Sequence, residues 1–232
     1  MTYPHPSAVI LASGSPRRRE LLHALGVDFR VVSSDAEEGT ALPAASLLTD
    51  LPAVSVALHD HPTIRAWRKG MHVAAEHPQA LVVAADTIVV IDGEVLNKPV
   101  DDSDAMRMLQ RLSGRQHTVY TGMMIAAPDQ PLEWHVVASQ VEMRSLDAAT
   151  IAAYVATGEP RDKAGAYGIQ GVAGTLVVAV HGSFTNVVGL PLRLVHDRLQ
   201  AHRVTMTRTP DAAYRWWRQQ LTHQQMPDGS DV

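Results

Sequence analysis

A short apolar stretch that runs straight into a Ser/Gly turn and a Pro-led basic helix constrains this chain more than any other segment. It reads Ile10-Leu-Ala-Ser-Gly-Ser-Pro-Arg-Arg-Arg-Glu-Leu-Leu22. Residues 8–12 suit a buried strand. Residues 16–25 suit a helix with Leu21, Leu22 and Leu25 on one face and Gly26 as its stop. Ser15 is an N-cap by type, and Pro16 is a natural first helical residue. The first N–H groups of such a helix lack intrahelical partners, and its positive dipole end faces whatever sits over the turn. Arg17 and Arg18 add permanently charged planar forks suited to phosphate. Arginines are electrostatically disfavoured beside the positive end of a helix, so three in a row there ask for an anion. The plainer reading is a capped helix with a solvated basic turn. The crowding of like charge weighs against it.

The chain has 232 residues, enough for one generous domain with a small appendage. A net charge of −4 gives no global field for nucleic acid or an acidic membrane, so the arginine cluster is local chemistry. The absence of cysteine excludes disulfides, thiolate catalysis and Cys-ligated zinc, and it fits a reducing compartment. The longest apolar run, Ala80 to Ile91, is interrupted by Asp86 and is too short to span a membrane. The N-terminus lacks the charged region and apolar length of a signal peptide. Together these point to a soluble, cytoplasmic protein with neither nucleic acid nor membrane as partner.

Further along, a second strand is expected at 29–33. The Pro-rich stretch from about 39 to 62 reads as a surface insertion, with helical character from 63 to 76. Leu81 to Ile91 is β-rich and ends in Asp92-Gly93, a two-residue hairpin signal. A helix over 103–112, paired strands over 117–127 and 134–144, and a helix over 147–157 follow. A Gly-rich segment, 165–174, leads into a strand at 175–180, and the last packed helix starts at Pro191. The division expected is a main domain over 1–203 and an extension over 204–232, whose Tyr214, Trp216 and Trp217 leave open a docking helix or a loose tail. Strands and helices mix without strict alternation. The fold class is therefore α/β with a mixed, twisted sheet flanked by helices.

Asp86 is the most unusual residue. It sits among nine small or branched apolar residues and one threonine, where a carboxylate loses hydration and needs a cation, a metal or a proton. Lys98 gains interest because Asp86 lies at the other end of the same hairpin, and Pro99 holds it extended. Glu37 and Glu38 follow the second strand, where a solvated acidic turn is an equal reading. Lys69, in a helix with Arg65 and Arg68, reads by itself as surface charge. In the segment from Asp162 to Gly171, three glycines permit close approach of a ligand, and Gln170 could read a base edge. The twelve histidines are scattered without ligand spacing and read as surface or satisfied core residues.

Six segments in order resemble the Maf family of nucleotide pyrophosphatases, over nearly all of residues 8–200. They are Leu11 to Arg18 with Glu20 to Leu22, Ala85-Asp-Thr87, Lys98-Pro99, Leu112-Ser-Gly114 with His117, Lys163 to Gly171, and Val188 to Pro191. The resemblance implies an elongated mixed α/β sheet with a central cleft, similar to inosine triphosphate pyrophosphatases. It implies a nucleoside triphosphate substrate, cleaved between the α and β phosphates with a divalent cation, magnesium or manganese, and it implies a homodimer. The variants at 85–87 and 163–171 resemble the branch acting on dTTP and UTP. Carried over, Asp86 is the general base and a metal ligand, and Glu38 is the second acid and metal ligand. Lys69 and Lys98 are the phosphate-side lysines. Ser13 and Ser15, with Arg17 and Arg18, belong to the phosphate turn, and Arg17, Thr87 and Gln170 bear on substrate choice. Gly70 departs from the family's usual alanine, and Asn97 from its common glycine. The alternative is a nucleotide-sensing regulator of cell division and septum formation, which needs the cleft but not the acids.

Overall fold

The computed structural model describes residues 6–33 and 40–224. Glu37 and Glu38 lie outside the described residues. One seven-stranded sheet runs in the order β2 (Arg30–Val31), β1 (Val9–Leu11), β3 (Leu81–Ile91), β5 (Gln116–Ala126), β6 (Glu133–Met143) and β7 (Val177–His181), with β4 (Glu94–Leu96) also paired to β3. β1 is parallel to β2 and β3, and every other pair is antiparallel. The mixed sheet expected from the sequence is the one observed.

The topology of β3 makes the cleft. β5 pairs along one edge of it from Val82 to Val90. The other edge is shared, with β1 beside Leu81–Val83 and β4 beside Val89–Ile91. Among the described residues no strand lies against that edge from Ala84 to Ile88, and Asp86 stands at the middle of the gap. The turn into β4 is the expected hairpin: Asp92 and Gly93 both take positive φ, 52° and 77°, as a two-residue turn between twisted strands requires.

Alternation along β3 sends successive side chains to opposite faces. Leu81, Val83 and Ala85 join a core with α1 (Pro16–Ala24), α7 (Leu192–Ala201) and α8 (Pro210–Gln224). Val82 and Ala84 face α3 (Pro62–Glu76), packing with Ala66 and Val73. Beyond the gap, Val89 and Ile91 meet α4 (Asp102–Leu112) and α5 (Ala148–Ala156). The start of the Pro-rich stretch holds one helical turn, α2 (Ala45–Leu48), and its end a 3-10 turn, Leu58–Asp60.

α3 lies unusually close to the sheet. A Cβ on Gly122, the cross-strand partner of Asp86, would fall 2.2 Å from the Thr63 backbone nitrogen and 2.3 Å from the Pro62 carbonyl carbon. Gly70 repeats the close approach against Ala84 and Met124, so alanine there would need both to shift. His61 caps α3. Its Nδ1 accepts from the Thr63 N–H at 3.3 Å, which puts the ring proton on Nε2, 2.8 Å from the Pro52 carbonyl.

Three details correct the sequence reading. The strand expected at 175–180 begins at Val177, after a 3-10 segment, Gly171–Leu176. A short helix, α6 (Phe184–Val188), went unforeseen because five residues carry no periodicity. The helix from Pro191 is not the last to pack. α8 follows it, with Ala213 and Trp217 buried against the α1 side of the core. The connecting strap passes the C-terminal end of α1 at Gly26, where a Cβ would collide with the Thr207 side chain.

Gly122→Ala should destabilise the protein by roughly 3 kcal/mol, because backbone atoms cannot yield as a side-chain tip can. Chemical denaturation measures this, and a wild-type midpoint and slope would refute the close-packed account of α3.

Candidate active site

The phosphate turn forms as its residue types dictate. Ser15 caps α1, its Oγ accepting from the Arg18 N–H at 3.4 Å, and Pro16 opens the helix. Ser13 Oγ accepts from the Ser15 N–H at 3.3 Å, which tightens the turn. Arg18 is buried, and three of its nitrogens hold protein oxygens. Nε donates to the Gly189 carbonyl at 2.9 Å, Nη1 to Ser13 Oγ at 3.2 Å and Nη2 to Thr87 Oγ1 at 3.1 Å. From Thr87 a hydroxyl chain continues to Thr121 at 2.9 Å and on to the Asn186 carbonyl at 2.9 Å. Arg18 thus braces the turn against β3 and against the α6–α7 junction. Gly189, at φ 123°, lets its carbonyl reach the guanidinium, which gives the Val188-Gly-Leu-Pro191 segment a structural reason. Arg17 points into the cleft and reaches Asp162 Oδ2 at 3.4 Å, a partly exposed pair of little energetic weight.

Asp86 is 4% exposed. Lys69 Nζ, itself buried, donates to its Oδ1 at 2.7 Å. Helical side chains lean toward the helix N-terminus, so Lys69 reaches back from the second turn of α3 over the gap in the sheet. Asp86 Oδ2 is buried without a hydrogen-bond partner among the described residues, and Arg65 Nη1 stands 4.0 Å from it. A buried carboxylate oxygen left open in this way suits a hard cation or a water. Among the described residues no group of three or more His, Asp or Glu could hold an ion. From the described residues such a magnesium or manganese ion would draw Asp86, with phosphate oxygens and water beside it, and magnesium commonly keeps several waters.

The far wall is the Gly-rich segment. Lys163 Nζ donates to the Glu159 carbonyl at 2.6 Å and to Asp162 at 2.7 Å. Gly168 leaves room for it, since a Cβ there would lie 2.6 Å from Lys163 Cε. The Gly165 N–H donates to the Asn97 carbonyl at 3.1 Å, tying this wall to the loop that carries Lys98. Tyr167 is fixed from below by a 2.6 Å hydrogen bond to His117 Nε2, its ring edge-on to the imidazole. Burial pushes the His117 pKa down to about 4 and the Tyr167 phenol up.

These walls enclose one cavity of about 590 Å³. Ser13, Ser15, Arg17, Arg18, Lys69, Asp86, Thr87, Lys98 and Gln170 all line it. Sequence reasoning passed over Arg65 and Lys163, which line it too. Arg65 offered one signal, its position four residues before Lys69 on the same helix face. No described helix is long and apolar enough to cross a membrane.

The model of the family described as Maf-like protein matches residues 8–202. The chain belongs to the Maf family. A relative from Dictyoglomus turgidum named dTTP/UTP pyrophosphatase is 44% identical over 185 residues, 79% of this chain and 90% of its own. Relatives of the same name from Nitratidesulfovibrio vulgaris and Aquifex aeolicus are 45% and 39% identical, covering 82% and 79% of this chain and 85% and 90% of theirs. Among solved structures, the Staphylococcus aureus Ham1 protein overlaps at a TM-score of 0.38 with 13% identity, over 58% of this chain and 71% of that one. The Maf-family match ends before α8, so the cleft's Leu221 comes from outside the matched segment.

The buried neutral histidines set a pH dependence. With a folded pKa of about 4 against the ordinary 6.5, His117 contributes stability that is complete above pH 6.5 and lost as the pH falls toward 4. Burial lowers the pKa of His61 as well, so it adds in the same direction. Unfolding free energy should drop by about 2 kcal/mol between pH 7.5 and pH 5 on account of His117. The His117→Phe variant should show a flatter profile, and equal slopes in the two proteins would count against a neutral buried imidazole.

Proposed function

We propose that this Maf-family chain is a nucleoside triphosphate pyrophosphatase that hydrolyses the α–β phosphoanhydride of dTTP- and UTP-like nucleotides to a monophosphate and pyrophosphate. The observation that carries the reading is Asp86: a carboxylate buried on an interior strand, opened to a cavity whose other wall is a capped, cationic helix start. Relatives covered over most of their length and named dTTP/UTP pyrophosphatase support the substrate class. One detail supports a pocket that selects among bases: Gln170, whose amide can read a base edge, lines the cavity.

Hydrolysis of an anhydride needs positioning, neutralised charge and an activated water. Lys69 holds Asp86 Oδ1, which fixes the carboxylate and leaves Oδ2 to orient water at the α-phosphorus. Water attacks there, its proton passes to the Asp86 carboxylate, and the bond from the α-phosphorus to the bridging oxygen breaks as pyrophosphate leaves. Arg17 binds phosphate oxygens through its guanidinium and its backbone N–H, while Arg18 keeps that turn in place. Lys98, which also lines the cavity, meets charge on the leaving group. A bound magnesium or manganese ion, held by Asp86 with Glu38 as second acid, would polarise the α-phosphoryl oxygen and lower the pKa of a water. A cytoplasmic location and a homodimer belong to the same proposal. No observation favours the regulatory alternative.

Turnover of dTTP, UTP, CTP and 7-methyl-GTP with magnesium or manganese should yield pyrophosphate from the first two foremost. Asp86→Asn should lower kcat by about 10³-fold or more while nucleotide still binds. Near-normal pyrophosphate release by that variant would remove Asp86 from the chemistry.

A further inference from the structure

The three basic residues in the middle of α3 take different directions. Lys69 holds Asp86. Arg68 turns away from the cleft, Nε donating to the Ala41 carbonyl at 2.8 Å and Nη1 to the His59 carbonyl at 3.2 Å, so it ties α3 to the Pro-rich stretch. Arg65 lines the cavity. Its Nη2 lies 2.6 Å from Asp60 Oδ1, in the last turn of that stretch, and its Nη1 lies 4.0 Å from Asp86 Oδ2.

The second distance is beyond hydrogen-bond reach, so Arg65 does not satisfy that oxygen. Nor does the acid need it, since Asp86 already carries Lys69. Two cations therefore flank one buried carboxylate, and the charge of Arg65 is balanced from outside the cleft by Asp60. A plain surface ion pair would leave both partners well exposed, yet the side chains of Arg65 and Asp60 are 22% and 20% exposed. An arginine held by one nitrogen keeps the rest of its planar fork for a second anion in a set orientation.

We propose that Arg65 is a further phosphate-binding residue of this cleft, contacting the triphosphate beside the scissile anhydride, and that Asp60 is its positioning residue. The assignment rests on the pyrophosphatase reading and extends it. It gives the Pro-rich stretch a function: through Asp60 it aims a phosphate ligand, while His61 and Arg68 fasten the helix that carries it. On nucleotide entry, Arg65 keeps Asp60 and gains a phosphate oxygen.

Binding of inorganic triphosphate with magnesium, measured by calorimetry, tests this. Arg65→Gln should weaken binding about tenfold and raise KM for UTP, with an unchanged melting temperature. Arg65→Lys, which keeps the charge and loses the fork, should recover part of the affinity. Asp60→Asn should weaken triphosphate binding severalfold in the wild type and not at all in the Arg65→Gln background, since a residue acting through Arg65 has nothing left to position. Wild-type triphosphate affinity in an Arg65→Gln protein that melts normally would overturn the proposal, as would an equal loss from Asp60→Asn in both backgrounds. If Arg65→Gln melts early, Arg65→Lys decides, and full affinity there would overturn the role of the fork. A wild-type protein that turns over neither UTP nor dTTP would instead overturn the pyrophosphatase reading, and this assignment with it; one that turns over UTP and binds no triphosphate would overturn this assignment alone.

Discussion

The ion pair between Lys69 Nζ and Asp86 Oδ1, 2.7 Å long with both groups buried, is the contact on which the cleft depends. An aspartate among valines and alanines survives only with a cation against it, because removing one partner leaves an uncompensated charge. That requirement dictates much of the surrounding packing. α3 must lie close enough for a lysine in its second turn to reach β3, and Gly122 and Gly70 remove the side chains that would hold it off. The pair satisfies one carboxylate oxygen and leaves the other to the cavity.

The gap along β3 converts that buried charge into a site. A strand continuing beside Ala84 to Ile88 would seal Asp86 inside the sheet. Instead β1 ends and turns into α1, β4 begins only after the hairpin, and the space between them admits a ligand. Its walls come from distant parts of the chain yet are tied to one another. Arg18 joins the phosphate turn to β3 and Gly189, Asn97 joins the Lys98 loop to Gly165, and Arg17 meets Asp162 across the opening. Such cross-ties hold charged groups at fixed separations, and electrostatic stabilisation depends on that.

Local signals in the sequence carried far. The capped start of α1, the β-rich run around Asp86 and the Asp92-Gly93 turn are short-range chemistry, and each lies where its residues imply. Asp86 announced itself because the cost of burying charge is legible in one dimension. Lys69 did not, since a lysine between arginine and glycine on a helix reads as surface until the strand beneath it is known; only the family resemblance singled it out. Arg18 read as an open phosphate fork because its three oxygen partners lie 5, 69 and 171 residues away. α8 is ambiguous in the sequence for a related reason: its core contacts rest on Ala213, Trp217 and a few aromatic neighbours, and aromatics among polar residues fit a docked helix or a loose tail equally. Glu38 stays a sequence assignment.

The central claim is that water oriented at Asp86 attacks the α-phosphorus. Hydrolysis of UTP or dTTP in water enriched in oxygen-18, with mass spectrometry of both products, tests it most directly. The account predicts one heavy oxygen in the nucleoside monophosphate and none in the pyrophosphate. Label in the pyrophosphate, or release of orthophosphate in its place, would contradict it.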